Sequence, residues 1–345
     1  MKEEYNFGIV GCGSIGIRHC DVLSSLSDAK LVAVCDPIKQ KADEFASKFG
    51  VKAYYDYDEF LKDGEIDVVS ICTPSGMHAA QTIAAANAKK QVVCEKPMAL
   101  SLEDCDAMIS ACSRNNVRLF VVKQNRHNEP VRILKEAIDG EKLGRVYMIN
   151  ANVLWNRTDL YYKQAQWRGT KEFDGGALMN QSSHFVDLMH WFGGNVKSVY
   201  SQMGTFKHDI ETEDTGNVLL KFENGAIGNI NFTTCVYDKN MESSVTVLGT
   251  RGSVKIGGRY INEIEHWNVE GMESPVLKEE HRPNDYGFYQ GSSANHDKYY
   301  RQVLDVLTGK AHNSTIGSDG RKAVEIILAA KKSAELGMPV ELPMR

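Results

Sequence analysis

Residues 8–16 read Gly8-Ile9-Val10-Gly11-Cys12-Gly13-Ser14-Ile15-Gly16, a G-x-G-x-x-G spacing. The spacing alone is common, but here it follows a strand pattern and opens a helix pattern. In that context it is typical of a dinucleotide-binding turn, because the glycines permit a tight turn, the approach of a pyrophosphate and close helix–strand packing. The N–H groups of the helix would then meet the phosphates. The predicted cofactor contacts of this turn are Gly11, Gly13, Ser14, Ile15 and Gly16.

Asp36 lies at the end of the second predicted strand, twenty residues beyond Gly16. A carboxylate at this point accepts hydrogen bonds from the ribose hydroxyls and would repel a 2′-phosphate. No arginine follows it directly, since the next residues are Pro37, Ile38 and Lys39. The sequence therefore favours NAD over NADP. A Rossmann-like domain that binds FAD, an S-adenosyl group or no nucleotide is the alternative.

Short β-branched runs alternate with longer amphipathic segments from Phe7 to Val122. This alternation predicts a doubly wound α/β domain with a parallel sheet, covering residues 1–123. The predicted strands are 7–11, 30–35, 52–54, 68–72, 91–95 and 119–122, and the predicted helices are 14–26, 39–49, 56–61, 78–88 and 102–115.

After Gln124 the pattern changes to extended segments rich in Val, Thr, Tyr and Asn, divided by turn signals. Such runs predict a second, α+β domain over 124–345 with a large, mostly antiparallel open sheet and a helical tail. The predicted strands are 146–155, 196–204, 215–222, 227–234 and 243–248, and the predicted helices are 130–139, 185–192, 296–307 and 320–336.

The bulk composition excludes several classes of protein. A net charge of −5 over 345 residues gives no basic footprint for nucleic acid. No apolar run reaches the roughly 18 residues that span a bilayer, and the first residues do not form a signal-peptide pattern. The eight cysteines form no C-x-x-C pair, and no metal-ligand spacing is evident. We expect a cytoplasmic protein that uses no metal.

Two further segments follow later strands of the first domain. Thr73, Pro74 and His78 come after the strand over 68–72, and Glu95-Lys96-Pro97 ends the next one. A strand that ends in E-K-P resembles the Gfo/Idh/MocA family of NAD(P)-dependent oxidoreductases, which act on sugars and cyclitols. That resemblance implies cofactor contacts for Thr73, Pro74, His78, Glu95 and Lys96. It also implies a cis peptide bond before Pro97. Lys96 could then stabilise the alkoxide charge that develops as hydride leaves carbon.

The segment 174–184 resembles the family motif G-G-x-x-x-D-x-x-x-H, with His184 in the position of the catalytic histidine. A histidine that titrates near neutrality is suited to removing a hydroxyl proton. Asn180 stands where many members have Asp, so it cannot relay a proton and would orient a substrate hydroxyl. The i, i+4 spacing predicts that Asn180 and His184 share one helix face.

The stretches 123–128, 166–170 and 175–181 are similar to one branch of the family, the UDP-N-acetylglucosaminuronate 3-dehydrogenases of bacterial surface-polysaccharide synthesis. The resemblance implies a nucleotide-sugar substrate oxidised at C3 and a homo-oligomer, a dimer or tetramer formed through the open sheet. It implies cofactor contacts for Gln124, Trp167 and Arg168, and substrate contacts for Lys96, Arg157, Asn180, His184, His296 and Tyr299. A free-sugar or inositol dehydrogenase is the first alternative, and a non-catalytic NAD-binding regulator is the second.

Overall fold

The computed structural model describes residues 2, 4–278, 283–285, 290–312 and 315–344. The chain forms two compact units. The first unit consists of 1–123 together with 295–321, and the second of 124–294 together with 322–345. No helix among the described residues is both long and apolar enough to cross a membrane.

The first unit contains a six-stranded parallel sheet in the order β3-β2-β1-β4-β5-β6. This order, which reverses at β1, is that of the dinucleotide-binding fold and confirms the predicted doubly wound domain. The strands are β1 Tyr5–Val10, β2 Ala29–Cys35, β3 Lys52–Tyr54, β4 Val68–Ile71, β5 Gln91–Cys94 and β6 Leu119–Val121.

Helices cover this sheet because its central strands are apolar on both faces, and all four residues of β4 are buried. The helices are α1 Ser14–Leu23, α2 Lys39–Phe49, α3 Tyr57–Lys62, α4 His78–Asn87 and α5 Leu102–Arg114. Two of them begin at a side-chain cap. Asp56 accepts the backbone N–H of Glu59, and Ser101 accepts that of Asp104, which satisfies donors that the helix itself leaves unpaired.

The second unit contains an eight-stranded sheet in the order β13-β12-β11-β7-β10-β9-β8-β16, in which β7 and β10 run parallel and the other paired neighbours antiparallel. Its strands are β7 Val146–Leu154, β8 Val196–Gly204, β9 Thr215–Phe222, β10 Ile227–Thr233, β11 Glu242–Gly249, β12 Gly252–Gly257, β13 Glu263–Val269 and β16 Val340–Glu341. Burial alternates along β9, so one face of that strand packs inward. The large open sheet was predicted.

Helices and a small hairpin complete the described fold. The helices are α6 Glu129–Asp139, α7 Asp159–Lys163, α8 Ser183–Gly193, α9 His296–Leu307 and α10 Gly317–Leu336. The hairpin pairs β14 Pro283–Asp285 with β15 Gln290–Ser293. Two 3-10 turns, Ser75–Met77 and Gln124–His127, precede α4 and α6.

Helix α9 corrects the predicted domain assignment, which placed all of 124–345 in the second domain. The structure places 295–321 in the first unit instead. The reason is hydrophobic burial, since Tyr300 is fully buried and its ring centroid lies 5.6 Å from that of Phe7 in β1. Val303 and Leu304 join the same apolar core.

Candidate active site

The glycine turn between β1 and α1 has the shape that a pyrophosphate cradle needs. Gly11 has a φ of +99°, and a Cβ at Gly16 would lie 2.1 Å from the carbonyl oxygen of Gly11. Both positions therefore require glycine for the fold itself. A Cβ at Gly13, in contrast, would meet nothing within 4 Å, and Gly13 and Ser14 are exposed. The open backbone at the start of α1 thus fits a phosphate group.

The carboxylate of Asp36 is fixed by the turn that it follows. Its Oδ2 accepts the N–H of Cys12 and its Oδ1 accepts the N–H of Ile38, both at 2.9 Å. A carboxylate has about four acceptor positions, so each oxygen keeps the capacity to accept a ribose hydroxyl. The structure therefore fits the predicted role of Asp36 and adds a second one, since the side chain also holds the glycine turn.

The segment after β4 carries Thr73, Pro74 and His78. Thr73 and Pro74 are half-buried, and the hydroxyl of Thr73 donates to Oε1 of Gln81 at 2.5 Å. His78 is buried, with its ring nitrogens 2.8 Å and 2.9 Å from the carbonyl oxygens of Pro97 and Thr73. Burial lowers the pKa of His78, so the neutral ring donates to one carbonyl at a time. His78 thus binds the chain itself, a role that the sequence did not indicate.

The segment Glu95-Lys96-Pro97 follows β5 directly. The Lys96–Pro97 peptide bond is cis, as the family resemblance implied. Glu95 is buried while Lys96 is half-buried, and Oε2 of Glu95 accepts the backbone N–H of Lys96 at 2.9 Å. Burial opposes ionisation of Glu95, but hydrogen bonds from His19 and His296 outweigh it and hold the pKa of that carboxyl well below its usual range.

His296 and Tyr299, predicted to contact the substrate, both lie on α9 in the first unit. Nε2 of His296 is 3.5 Å from Oε1 of Glu95. Both side chains are at most 1% exposed, so in this structure neither presents a surface to a ligand. Their role as substrate contacts stays a prediction.

In the second unit, Asn180 and His184 do not share a helix, which corrects the i, i+4 prediction. Asn180 lies in a turn, and α8 begins only at Ser183. The turn is separate because the N–H of Ser182 bonds to the carbonyl of Ala177, one residue farther back than a helix allows. The side-chain amide of Asn180 donates to Asp174.

His184 lies in the first turn of α8 and is buried. Nε2 of Gln124 is 3.4 Å from Nε2 of His184, so the fold brings together two residues that the sequence nominated separately. One turn farther along α8, Asp187 forms a bidentate ion pair with Arg126 at 2.7 Å for both bonds. Arg126 belongs to the same 3-10 turn as Gln124, so the ion pair between Arg126 and Asp187 fixes that turn against α8.

Arg157 and Arg168 both stack on the ring of Tyr161. The guanidinium carbons lie 5.3 Å and 3.8 Å from its centroid, and that of Arg157 also lies 5.0 Å from the centroid of Trp155. Arg157 is only 2% exposed, and its Nη1 donates to the carbonyl of Asn156 at 2.6 Å. Aromatic faces thus stabilise two neighbouring cations, and the role of the buried Arg157 as a substrate contact stays a prediction. Trp167, beside Arg168, is half-buried.

Among the described residues, the fold assembles two groups that could hold a metal ion although their sequence spacing did not indicate one. They are His19, Glu95 and His296 in the first unit, and His208, Asp214 and Cys235 in the second. Hydrogen bonds within the chain account for both groups. In the first group, Nε2 of His19 donates to Oε1 of Glu95, and Nδ1 of His19 lies 2.7 Å from the Tyr300 hydroxyl. In the second group, Asp214 Oδ2 accepts the backbone N–H groups of Lys207 and His208, and Nε2 of His208 donates to the carbonyl of Arg157.

The sequence analysis missed His19, Tyr300 and His208. His19 was visible only as a polar residue on the apolar face of α1, where it is fully buried. Buried polar side chains in such positions have hydrogen-bond partners, and this was the signal available for it. Tyr300 and His208 gave no local signal, because their partners are distant in sequence.

Comparison with known proteins agrees with both units. Residues 5–123 match the model of an oxidoreductase family with an NAD-binding Rossmann fold, and residues 135–342 match the C-terminal alpha/beta domain of that family. Two solved structures are similar over 99% of this chain, each in complex with NADH and UDP-GlcNAcA. They are the WlbA dehydrogenase from Bordetella pertussis, at 38% identity, 100% coverage of that chain and a TM-score of 0.90, and that from Chromobacterium violaceum, at 40% identity, 97% coverage and a TM-score of 0.91.

A curated relative acts on a different substrate. The myo-inositol 2-dehydrogenase of Thermotoga maritima is 29% identical over 97% of this chain and 98% of its own length. The matches therefore include both a nucleotide-sugar and a cyclitol dehydrogenase.

Proposed function

Because the chain belongs to the Gfo/Idh/MocA family of NAD-binding oxidoreductases, we propose that it oxidises the C3 hydroxyl of UDP-N-acetylglucosaminuronate. The observation that carries this proposal is the 38–40% identity, over nearly the whole chain, to two dehydrogenases solved with NADH and UDP-GlcNAcA. The product would be a 3-keto sugar, which suits a later transamination to a 2,3-diamino-2,3-dideoxy uronic acid.

The cofactor-binding role falls first on the glycine turn and Asp36, whose open backbone and carboxylate fit a pyrophosphate and a ribose. When bound, NAD supplies the hydride acceptor. Further proposed cofactor contacts are Thr73, Pro74, His78, Glu95, Lys96, Gln124, Trp167 and Arg168.

Lys96 and His184 are the proposed catalytic residues. The Lys96 ammonium would hydrogen-bond the reacting hydroxyl and stabilise negative charge on its oxygen. The His184 imidazole would accept the hydroxyl proton, and Gln124, 3.4 Å away, would orient that ring. Asn180, held by Asp174, would position the sugar, and Arg157 would pair with the uronate carboxylate.

We also propose a cytoplasmic homo-oligomer, a dimer or tetramer, formed through the open sheet. Support comes from large apolar side chains on one face of that sheet, since Leu219 on β9 and Ile227 on β10 are each more than half exposed. Such residues are normally covered in an assembly when they form a contiguous patch.

The test is a ligand panel with the NAD-loaded protein. UDP-N-acetylglucosaminuronate should raise the melting temperature and support NADH formation, because a ligand that binds the folded state stabilises it. UDP-N-acetylglucosamine, which lacks the carboxylate, is the matched control and should act more weakly. A clear response to myo-inositol or glucose without any to the uronate would favour the second candidate, which the inositol dehydrogenase relative supports.

A further inference from the structure

Glu95 links α1, the helix that begins at the glycine turn, to Lys96. Oε1 of Glu95 accepts a hydrogen bond from Nε2 of His19 on α1 at 2.9 Å. Oε2 accepts the backbone N–H of Lys96 at the same distance. The two oxygens of one buried carboxylate thus join His19 to the lysine for which we propose a catalytic role.

The hydrogen bonds behind His19 determine where its proton lies. A carboxylate only accepts, so Nε2 of His19 must carry the hydrogen. Nδ1 then faces the Tyr300 hydroxyl at 2.7 Å, which in turn lies 2.8 Å from Oγ of Ser70. Both ring nitrogens of His19 have a partner when Ser70 donates to Tyr300 and Tyr300 donates to Nδ1 of His19. This buried chain of three donors ends on Glu95.

His19 is the nearer of the two rings at Oε1 of Glu95, at 2.9 Å against 3.5 Å for His296. Burial raises the pKa of the Cys72 and Cys94 thiols well above the usual value, so both stay neutral. Burial lowers the pKa of His78 and of His296, the second ring beside Oε1. Lys96 is the neighbouring cation in sequence, and the positive charge of Arg18 contributes to lowering the pKa of His296. Loss of the His19 donor would therefore let burial raise the pKa of Glu95.

We propose that His19 is a positioning residue for Lys96: its imidazole, aligned by Tyr300, orients the Glu95 carboxylate that binds the Lys96 backbone. The inference deepens the proposed oxidation and rests on it for the role of Lys96. It assigns a reaction-specific task to a side chain on the helix after the phosphate-binding turn.

The first experiment compares His19→Leu with His19→Gln, whose amide retains a donor. We expect His19→Leu to lower kcat at least tenfold while the Kd for NAD changes less than threefold. His19→Gln should recover most of the lost kcat. Tyr5→Phe is the matched control, because it removes one tyrosine hydrogen bond to α9, at the carbonyl of Leu307, without touching Glu95. The control should keep normal kcat.

The second measurement is the pH dependence of kcat, which would not change if His19 had a purely structural role. On the acid side, kcat of His19→Leu should fall at a higher pH than that of the wild type, because Glu95 would protonate more easily. Adding Glu95→Gln to His19→Leu should remove this shift, since that position no longer titrates. If His19→Leu fails to fold, Tyr300→Phe should show a smaller shift in the same direction.

An infrared measurement separates this inference from the proposed function. In His19→Leu at mildly acid pH we expect a protonated-carboxyl band that Glu95→Gln abolishes and that the wild type lacks. A His19→Leu enzyme with normal kcat, or without that band wherever it stays folded, would overturn the proposal. If the wild type oxidises only another sugar, the proposed substrate is wrong, and the same comparison made on that sugar decides the role of His19.

Discussion

Glu95 in the first unit and Arg157 in the second are both buried charges, and the chain stabilises them differently. Glu95 is held by directional donors from His19 and the Lys96 backbone. The guanidinium of Arg157 lies against the rings of Trp155 and Tyr161, and its Nη1 also donates to the carbonyl of Asn156 and to Oδ1 of Asn240. The buried anion is thus held by N–H donors, whereas the buried cation uses the negative faces of aromatic rings as well as hydrogen-bond acceptors. The difference follows from charge, because a ring face attracts a cation and not a carboxylate.

The largest effects are expected when the proposed catalytic group of each unit is removed. Lys96→Ala and His184→Asn should each lower kcat by a factor of about 100 to 10,000, the usual contribution of a positioned acid–base group. NAD binding, measured by fluorescence titration, should persist in both. A variant that keeps near-normal turnover would show that its residue has no catalytic role and that the chemistry lies in the other unit.

A smaller effect is expected at the ring-stacked cation. Arg157→Lys keeps the charge but loses the planar, bidentate group, so KM for the uronate should rise about tenfold to a hundredfold, equivalent to roughly 1.4–2.8 kcal/mol. Steady-state kinetics with the uronate and with its uncharged analogue check this. An equal rise for both substrates would place Arg157 in the scaffold and not at the carboxylate.

The glycine turn allows fold and cofactor binding to be separated in the first unit. Gly16→Ala should destabilise the protein by about 1–3 kcal/mol, because its Cβ would collide with the carbonyl of Gly11. Gly13→Ala should leave stability unchanged, since its Cβ meets nothing, but should weaken NAD binding. Urea unfolding and NAD titration measure the two effects. Unchanged NAD affinity in Gly13→Ala would remove this turn from the cofactor site.

The smallest effect concerns Asp214, which caps a turn in the second unit. Burial raises its pKa, but backbone N–H groups of 206–208 outweigh that and lower it to about 2. Because the pKa of Asp214 is lower in the folded state than the value near 4 of the unfolded state, its ionised carboxylate stabilises the fold above about pH 4. This stabilisation disappears as the pH falls towards 2. The stability difference between wild type and Asp214→Asn in urea unfolding should thus shrink over this range. A constant difference would mean that the charge is not responsible.

Sequence reasoning succeeded where the fold depends on neighbouring residues. The glycine turn, Asp36 and Lys96 each follow a strand of a parallel sheet, so chain order alone placed them at the carboxyl edge. It failed where distant segments meet. His19 and Tyr300 are 281 residues apart, and no local pattern links them. The strands β12 and β13 were missed because only the pairing of β12 with β11, and of β13 with β12, makes them part of a sheet.

The return of α9 to the first unit has a consequence for synthesis on the ribosome. Residues 1–123 contain the complete glycine turn and sheet, but the helix that covers Phe7 and contributes Tyr300 is translated only after 171 residues of the second unit. Until then an apolar sheet face stays exposed on the nascent chain, a state that favours aggregation. We therefore expect an N-terminal fragment that ends at 123 to be insoluble, and a chain that joins residue 123 to residue 295 through a short linker to fold.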